Sequence, residues 1–247
     1  LLENIRFYGE EEENDHAFAK NLASLGDLYV NDAFSVSHRA HASVEAITHY
    51  SPSYTGLNFQ HEIQALNSFF KHPHPPIAAI IGGSKVSSKF DVLHYLMNHV
   101  HHMIIGGGMA NTFLKAKGYD IGASLVEVDL IPKAQRFMDD ASKKGCTLHL
   151  PLDVRTAKSL NDSGTYVTID NVLPETKIFD IGPQTVDHIH GVLETCHTVV
   201  WNGPLGVFET SPYDTGSLEV ARIIAGKTMY SLAGGGETVA VLQKAKV

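Results

Sequence analysis

Ile77-Ala78-Ala79-Ile80-Ile81-Gly82-Gly83-Ser84-Lys85-Val86-Ser87-Ser88-Lys89 runs from an uninterrupted apolar segment through a glycine pair into a stretch carrying two lysines. A short apolar run bounded by turn residues reads as a strand buried on both faces, and such strands belong to parallel sheets covered by helices. The period then changes, with Phe90, Leu93, Met97 and Val100 recurring at helical spacing. The same unit returns downstream. Met103 to Ile105 leads into Gly106-Gly107-Gly108, with Phe113 and Ala116 on the next helix before Gly118. Thr198 to Trp201 meets Asn202-Gly203-Pro204, and Met229 to Ala233 meets Gly234-Gly235-Gly236 before a helix predicted over 237–247. Leu130, Ala134, Phe137 and Ala141 predict a longer helix over 129–144, with Pro132 in its first turn and Lys143-Lys144-Gly145 closing it. Apolar strands alternating with amphipathic helices predict an open parallel sheet.

In such a sheet the strand-to-helix turns gather at the carboxyl ends of the strands, where ligands bind. Four of these turns carry glycine. Glycine lets the backbone approach a ligand closely, and the free N–H groups and positive dipole end of the following helix favour a phosphate, so the set predicts a polyanionic ligand. Lys85 and Lys89, four apart, are expected to share one face of the first helical turns and to direct both ammonium groups at one phosphate, because cations there are unfavourable without an anion. Gly106 to Asn111 and Gly234 to Val239 both fail the last position of the dinucleotide fingerprint, which argues against a dinucleotide oxidoreductase. Ile81-Gly82-Gly83-Ser84-Lys85 is not an ordinary P-loop.

Upstream, Asn14 or Asp15 is expected to cap a helix bearing Phe18, Leu22 and Leu25 and ended by Gly26, followed by a short strand at 28–30. Phe59, Ile63, Leu66 and Phe70 predict a second helix, ended by His72-Pro73-His74-Pro75-Pro76, and the domain boundary is expected on it. At 247 residues the chain has room for one large or two modest domains. Apolar residues make up 43% and charged residues 19%, a globular balance, and no window is long and apolar enough to span a membrane. A net charge of -8 argues against a nucleic-acid partner, so an anion must be held by local features. Cys146 and Cys196 are expected as reduced, buried packing residues, which suits a cytoplasmic address. Trp201 is expected in the core. The groups His38/His41, His72/His74 and His99/His101/His102 are expected as solvated or capping residues rather than a metal site. The first residue is not Met and Leu1 begins inside an apolar run, so the chain is expected to be a piece of a longer one.

Several strings carry a resemblance: Leu2-Glu3-Asn4-Ile5-Arg6-Phe7, Val30-Asn31-Asp32-Ala33-Phe34, His38-Arg39-Ala40-His41-Ala42-Ser43, Gly82-Gly83-Ser84-Lys85-Val86 with Lys89, and Ile104 to Met109. Asp180-Ile181-Gly182-Pro183, Val200-Trp201-Asn202-Gly203-Pro204 with Gly206-Val207-Phe208-Glu209, and Gly234-Gly235-Gly236-Glu237-Thr238 complete the set. In this order they resemble phosphoglycerate kinase along the whole chain. The resemblance implies an α/β fold of two Rossmann-like parallel-sheet α/β/α domains joined by a linking helix, the first only partly present. Residues 1–57 would be the latter part of the N-terminal phosphoglycerate-binding domain, 58–72 the interdomain helix and linker, and 73–247 a truncated C-terminal nucleotide-binding domain.

The implied activity is reversible phosphoryl transfer between 1,3-bisphosphoglycerate and ADP, giving 3-phosphoglycerate and ATP in glycolysis, by a magnesium-dependent, monomeric, cytoplasmic transferase with a carboxyl acceptor and neither nucleic-acid nor membrane partners. By motif match Arg6 and Arg39 would grip phosphoglycerate. Lys85, Lys89, Gly235 and Gly236 would serve the transfer, Glu209 would hold the ribose, and Glu237 the metal. Gly83, Gly107, Asn202, Gly203, Pro204 and Thr238 would join Lys85, Lys89, Glu209, Gly235, Gly236 and Glu237 around the nucleotide. Both reacting groups are ionised at neutral pH, because a carboxyl pKa is about 4, so the reaction needs positioning and positive charge rather than a general base. The chain departs from the family at Glu237, where Asp is usual, and at Ser35, where Gly is common. It also lacks the family's N-terminal strand, its Ser-His-Leu-Gly-Arg-Pro stretch and catalytic arginine, and the final Gly-rich loop and closing helix. The alternative expectation is therefore an isolated nucleotide-binding module without turnover.

Overall fold

Asp15 starts the first long helix, its carboxylate accepting the Phe18 N–H at 2.7 Å, while Asn14 before it sits at φ 56°, left-handed backbone that Asn tolerates. This helix, α2 (His16–Ala23), follows a single turn, α1 (Gly9–Glu12), and leads to β1 (Tyr29–Asn31), one residue later than predicted. β1 pairs in parallel with β2 (Ser53–Thr55). Asp32 then caps α3 (Leu57–Lys71) from outside, with Oδ1 accepting the Phe59 N–H at 2.8 Å and Oδ2 the Asn58 amide at 2.7 Å. The bond from the Phe59 backbone is the main reason its carboxyl lies below the usual range. The computed structural model describes residues 1, 3–71 and 73–247, with backbone alone at 68–70. Leu2 of the first motif and His72 of the His/Pro stretch lie outside the described residues, as does the side chain of Phe70.

The chain divides into two units, Leu1–His72 and Pro73–Val247. In the second, β3 (Ile77–Ile81) is buried at every position, which is why its sequence is apolar without alternation. There follow α4 (Phe90–Leu96), β4 (His102–Ile105), α5 (Gly108–Ala116), α6 (Ile131–Lys143) and β5 (Thr147–His149). After β6 (Asp153–Ala157), β7 (Thr165–Thr168) and β8 (Lys177–Ile181) come α7 (Pro183–Glu194), β9 (Thr198–Asn202), α8 (Thr215–Ala225), β10 (Tyr230–Gly234) and α9 (Gly236–Ala245). The parallel sheet has the order β10-β9-β3-β4-β5, so the direction of winding reverses between β3 and β9. Ligands bind outside the carboxyl ends of the strands at such a switch point. Register sets Ile81 level with Asn202, and Asn202 level with Gly234, so three glycine turns leave the sheet at one height.

The mixed α/β architecture with parallel strands is as expected, with one addition. β7-β6-β8 forms a separate antiparallel sheet that the apolar pattern did not announce, because β6 carries Asp153 and Arg155 within the strand. Asp153 is buried and acts as a cap across the chain. Its Oδ1 accepts the Thr185 N–H at 2.8 Å and the Thr185 hydroxyl at 2.7 Å, and its Oδ2 accepts the Gln184 N–H at 3.1 Å, which satisfies the first turn of α7. One face of the main sheet packs around Trp201 with Ile80, Ile104, Ile189, Leu193 and Val220, and the indole N–H donates to the Gly203 carbonyl at 2.8 Å. Burying each such side chain contributes about 1.5–3 kcal/mol. Phe90, Phe113 and Phe137 meet edge to face, at 6.1 Å and 5.9 Å from Phe137. Cys146 and Cys196 are free and buried, as expected. No helix among the described residues is long and apolar enough to cross a membrane.

Of the histidines grouped from sequence, His38, His74, His99 and His101 are exposed as expected, whereas His41 is buried beside Glu11 and His102 is drawn into a chain of imidazoles. His102 Nδ1 lies 3.1 Å from His149 Nε2, and His149 Nδ1 lies 2.8 Å from His188 Nε2, joining β4, β5 and α7. Among the described residues no group of three His, Cys, Asp or Glu side chains is arranged to hold a metal ion. Burial first, then the neighbouring imidazoles, pushes the His149 pKa down from 6.5 to about 4. A depressed folded-state pKa contributes stability that is present above the unfolded value and lost as pH falls through the folded one. Stability should therefore drop between pH 6.5 and 4 by about 1–2 kcal/mol from this group, after discounting for its partial exposure. Urea unfolding at a series of pH values, compared with His149→Gln, checks this; a variant with the same pH slope as the parent would remove His149 as the cause.

Candidate functional site

The turns after β3 and β9 interlock backbone to backbone. A Cβ at Gly82 would overlap the Pro204 carbonyl, and one at Gly203, where φ is 93°, would overlap Gly82, so both positions require glycine. The Gly82 N–H donates to the Asn202 carbonyl at 2.9 Å, the Gly107 N–H to the Leu205 carbonyl at 2.9 Å and the Met109 N–H to the Gly83 carbonyl at 2.9 Å. These bonds tie the turns after β3, β4 and β9 into one rim. Beneath it lies a cavity of about 520 Å³. Gly83, Gly107, Gly108, Pro204 and Glu237 line it at the turns, while Ala110, Ala123, Leu125, Val154, Ile178, Phe179, Leu205 and Val207 make most of its wall apolar, with Glu209 at the side.

α5 and α9 begin at this rim behind Gly107 and Gly235, and neither has a side-chain cap. In α5 the Met109 N–H is already taken by the Gly83 carbonyl, so the Gly108 N–H, the first N–H groups of α9 and the positive dipole ends of both helices are what an anion would meet. Beside the cavity runs a bonded cluster. Lys89 donates to Asn202 Oδ1, Asn202 Nδ2 donates to the Gly234 carbonyl at 2.8 Å, the Thr238 hydroxyl donates to the same carbonyl at 2.9 Å, and the Gly203 N–H donates to Thr238 Oγ1 at 2.7 Å. Thr238 is fully buried and spends its one O–H on Gly234, so its hydroxyl holds two turns together. Burial pushes the half-buried Lys89 ammonium down in pKa, and the charge of Glu237 opposes that shift. Lys89 is in no ion pair among the described residues, so its ammonium, near the Glu237 charge but bonded only to Asn202, stands beside two helix ends without side-chain caps.

Of the expected nucleotide residues, Gly83, Gly107, Pro204, Glu209 and Glu237 line the cavity, and Lys89, Asn202, Gly203, Gly235 and Thr238 form or adjoin the cluster, with Gly236 opening α9. Lys85 requires a correction. It does not share a helical face with Lys89, because α4 begins only at Phe90 and residues 84–89 are irregular. The reason lies in contacts from distant segments: the Ser87 N–H donates to Glu127 Oε2 at 2.9 Å and the Gly83 carbonyl is taken by Met109, so the segment is held out of helix. Lys85 stands exposed, with its charge acting on Glu127.

Arg6 and Arg39 belong to the first unit. Arg6 lies in the turn Ile5–Phe7, its N–H held by Asn4 Oδ1 at 3.1 Å, and Arg39 follows the turn Phe34–Val36, its N–H donating to the Val36 carbonyl at 3.0 Å. Both guanidinium groups are exposed and without an ion pair among the described residues. Sequence reasoning missed Glu11, which anchors the segment after Arg39. Its carboxylate accepts the Ser43 N–H at 2.9 Å and the Ser43 hydroxyl at 2.6 Å, and its carbonyl accepts the Ala42 N–H at 2.9 Å. A run of four glutamates reads as a solvated face, and nothing in it marks the one turned inward. Asp180 was quoted only as part of a motif. Burial, reinforced by the charge of Asp214, pushes its carboxyl up to about 8, although it accepts the Gly216 N–H at 2.8 Å and the Ile181 N–H at 2.9 Å.

A sequence-family model for phosphoglycerate kinase matches residues 1–247. The chain belongs to the phosphoglycerate kinase family. The phosphoglycerate kinase of Sphingopyxis alaskensis is 50% identical over 253 residues, covering 100% of this chain and 64% of that protein. That of Bartonella bacilliformis is 50% identical over 254 residues, covering 100% of this chain and 63% of the relative. The structure of phosphoglycerate kinase from Coxiella burnetii superposes with a TM-score of 0.85 at 41% identity, over 98% of this chain and 63% of that one. The chain thus spans about 64% of the length of the curated relatives it matches. Glu237 keeps a carboxylate at the cavity edge. Glu237 lines the cavity in the first turn of α9, and no internal donor engages its carboxylate among the described residues.

Proposed function

We propose that residues 73–247 form the nucleotide-binding part of a phosphoglycerate kinase, and that residues 1–57 carry part of its phosphoglycerate site, with the helix in 58–72 as the link. The reaction is reversible transfer of a phosphoryl group between 1,3-bisphosphoglycerate and ADP. The observation that carries this reading is the Lys89 ammonium, held by Asn202 and in no ion pair among the described residues, beside two helix N-termini without side-chain caps at the switch point of a parallel sheet. In that place it can release Asn202 and take up a phosphate oxygen. Lys89 and the first N–H groups of α9, at Gly236 and Glu237, stabilise charge on the transferred group, which a phosphoryl transfer needs more than proton movement. Lys85, exposed ahead of α4, draws the phosphates in from the rim. Glu209 takes the ribose hydroxyls as acceptor, and the apolar wall takes the base. Arg6 and Arg39, unpaired and planar, suit bidentate capture of the phosphoglycerate anion.

Magnesium fits the residues present. It is usually bound through one or two carboxylates together with substrate phosphates, and Glu237 supplies one free carboxylate at the cavity edge. When bound there, the ion would neutralise charge on the nucleotide phosphates. The reading includes a monomer in the cytoplasm, the latter supported by two buried cysteines that remain thiols. Calorimetric titration of the chain with Mg-ADP tests the reading. One site per chain is expected, with NADH failing to compete; absence of ADP binding at millimolar concentration would overturn it. A turnover assay on the same sample separates the kinase from a binding module without activity.

A further inference from the structure

Asn111 lies on α5 four residues beyond its Gly107 cap, about 6 Å further along the helix axis and away from the glycine rim. It lines the same cavity and is 1% exposed. Its Nδ2 donates to the Leu125 carbonyl at 3.0 Å, while its Oδ1 is buried without any partner among the described residues. The assignment of the two atoms follows from the contact itself, since exchanging them would set a carbonyl oxygen against a carbonyl oxygen. A buried acceptor left empty is unfavourable and uncommon, so its presence points to a donor that arrives with a ligand. The surrounding wall, with Ala110, Ala123 and Leu125, is apolar and suits the faces of a flat ring.

We infer that Asn111 is a specificity-determining residue for the nucleobase, its Oδ1 accepting a hydrogen bond from an exocyclic amino group of a purine. The inference rests on the cavity being a nucleotide site. It commits the inner end of the cavity to an amino-bearing edge and against an oxo group there, because an oxygen facing Oδ1 would leave two acceptors opposed. Adenine offers a 6-amino group and guanine a 2-amino group, and the test distinguishes them.

The experiment is calorimetric titration of the full chain with the magnesium complexes of ADP, GDP and purine ribonucleoside 5′-diphosphate, which is ADP without the amino group. ADP is expected to bind about tenfold more tightly than the unsubstituted purine nucleotide. In Asn111→Leu, similar in size but apolar, that ratio should fall to within about twofold through weaker ADP binding, with the unsubstituted nucleotide unchanged. A merely structural role for Asn111 would shift both ligands together. GDP binding about tenfold more tightly than both ADP and the unsubstituted nucleotide would assign the contact to the 2-amino group; ADP binding the most tightly, with GDP no better than the unsubstituted nucleotide, assigns it to the 6-amino group. Binding of ADP, GDP and the unsubstituted nucleotide within about twofold of one another by the parent protein overturns the inference, as does a preference for the amino-bearing nucleotide retained in Asn111→Leu. The parent comparison needs no variant, so it decides even if Asn111→Leu fails to fold. If none of the nucleotides binds, the nucleotide reading itself fails, an outcome distinct from equal binding.

Discussion

Lys89→Ala is expected to lower phosphoryl-transfer turnover in the full-length enzyme by on the order of 10²–10³-fold, the usual cost of removing one preorganised group from a site of developing charge. On the proposed reading the side chain sits where that charge would form. It reaches Asn202 from just before α4, its ammonium is half-buried, and no carboxylate pairs with it among the described residues. The fold should tolerate its loss, because Asn202 keeps its bond to the Gly234 carbonyl at 2.8 Å and Thr238 keeps its own at 2.9 Å. The expected signature is therefore a fall in kcat much larger than any change in ADP affinity, with an unchanged unfolding midpoint. Turnover within tenfold of the parent would show that Lys89 does not stabilise the transferred group.

The second large effect is on stability. Asp153→Ala is expected to destabilise the protein by about 3 kcal/mol, because it leaves buried donors of the α7 first turn unpaired and opens a small void. The Thr185 N–H and the Gln184 N–H lose their acceptor, while the Thr185 hydroxyl keeps only the Asp153 backbone carbonyl at 2.9 Å. Asp153→Asn keeps one acceptor oxygen and turns an amide donor toward another donor, so it should cost about half as much. Urea unfolding of the parent and the two variants measures the series. Equal stability of Asp153→Ala and the parent would mean that water replaces the carboxylate without loss. The same change should weaken ADP binding, since β8 delivers Asp180 and Ile181 to the cavity wall immediately before α7.

The parallel sheet was legible because burial on both faces leaves no alternation to hide it. β3 begins and ends where its apolar run does, and the three downstream glycine turns fall at the ends of β4, β9 and β10. The two lysines show where that legibility stops. Their spacing of four is meaningful only on a helix, and α4 starts after both of them because Glu127, forty residues away in sequence, holds the Ser87 N–H. Glu11, Asp153 and Asp180 were invisible for a related reason. A buried carboxylate is written in the sequence like an exposed one, and its partners stand 31 to 36 residues distant. The His102, His149 and His188 chain closes over separations of 47 and 39 residues and breaks the grouping suggested by adjacency.

By itself the sequence determined β3, β4, β9 and β10, the helices α2 to α6 and α9, the glycine turns and the membership those strings announce, because each follows from local periodicity, from a backbone conformation that side chains exclude or from the strings themselves. Only the tertiary structure decided which charges face inward, that Lys89 and not Lys85 joins the Asn202 cluster, and that Asn111 keeps an empty acceptor in the cavity. Hydrogen bonds between residues distant along the chain settle those points, and no local pattern encodes them.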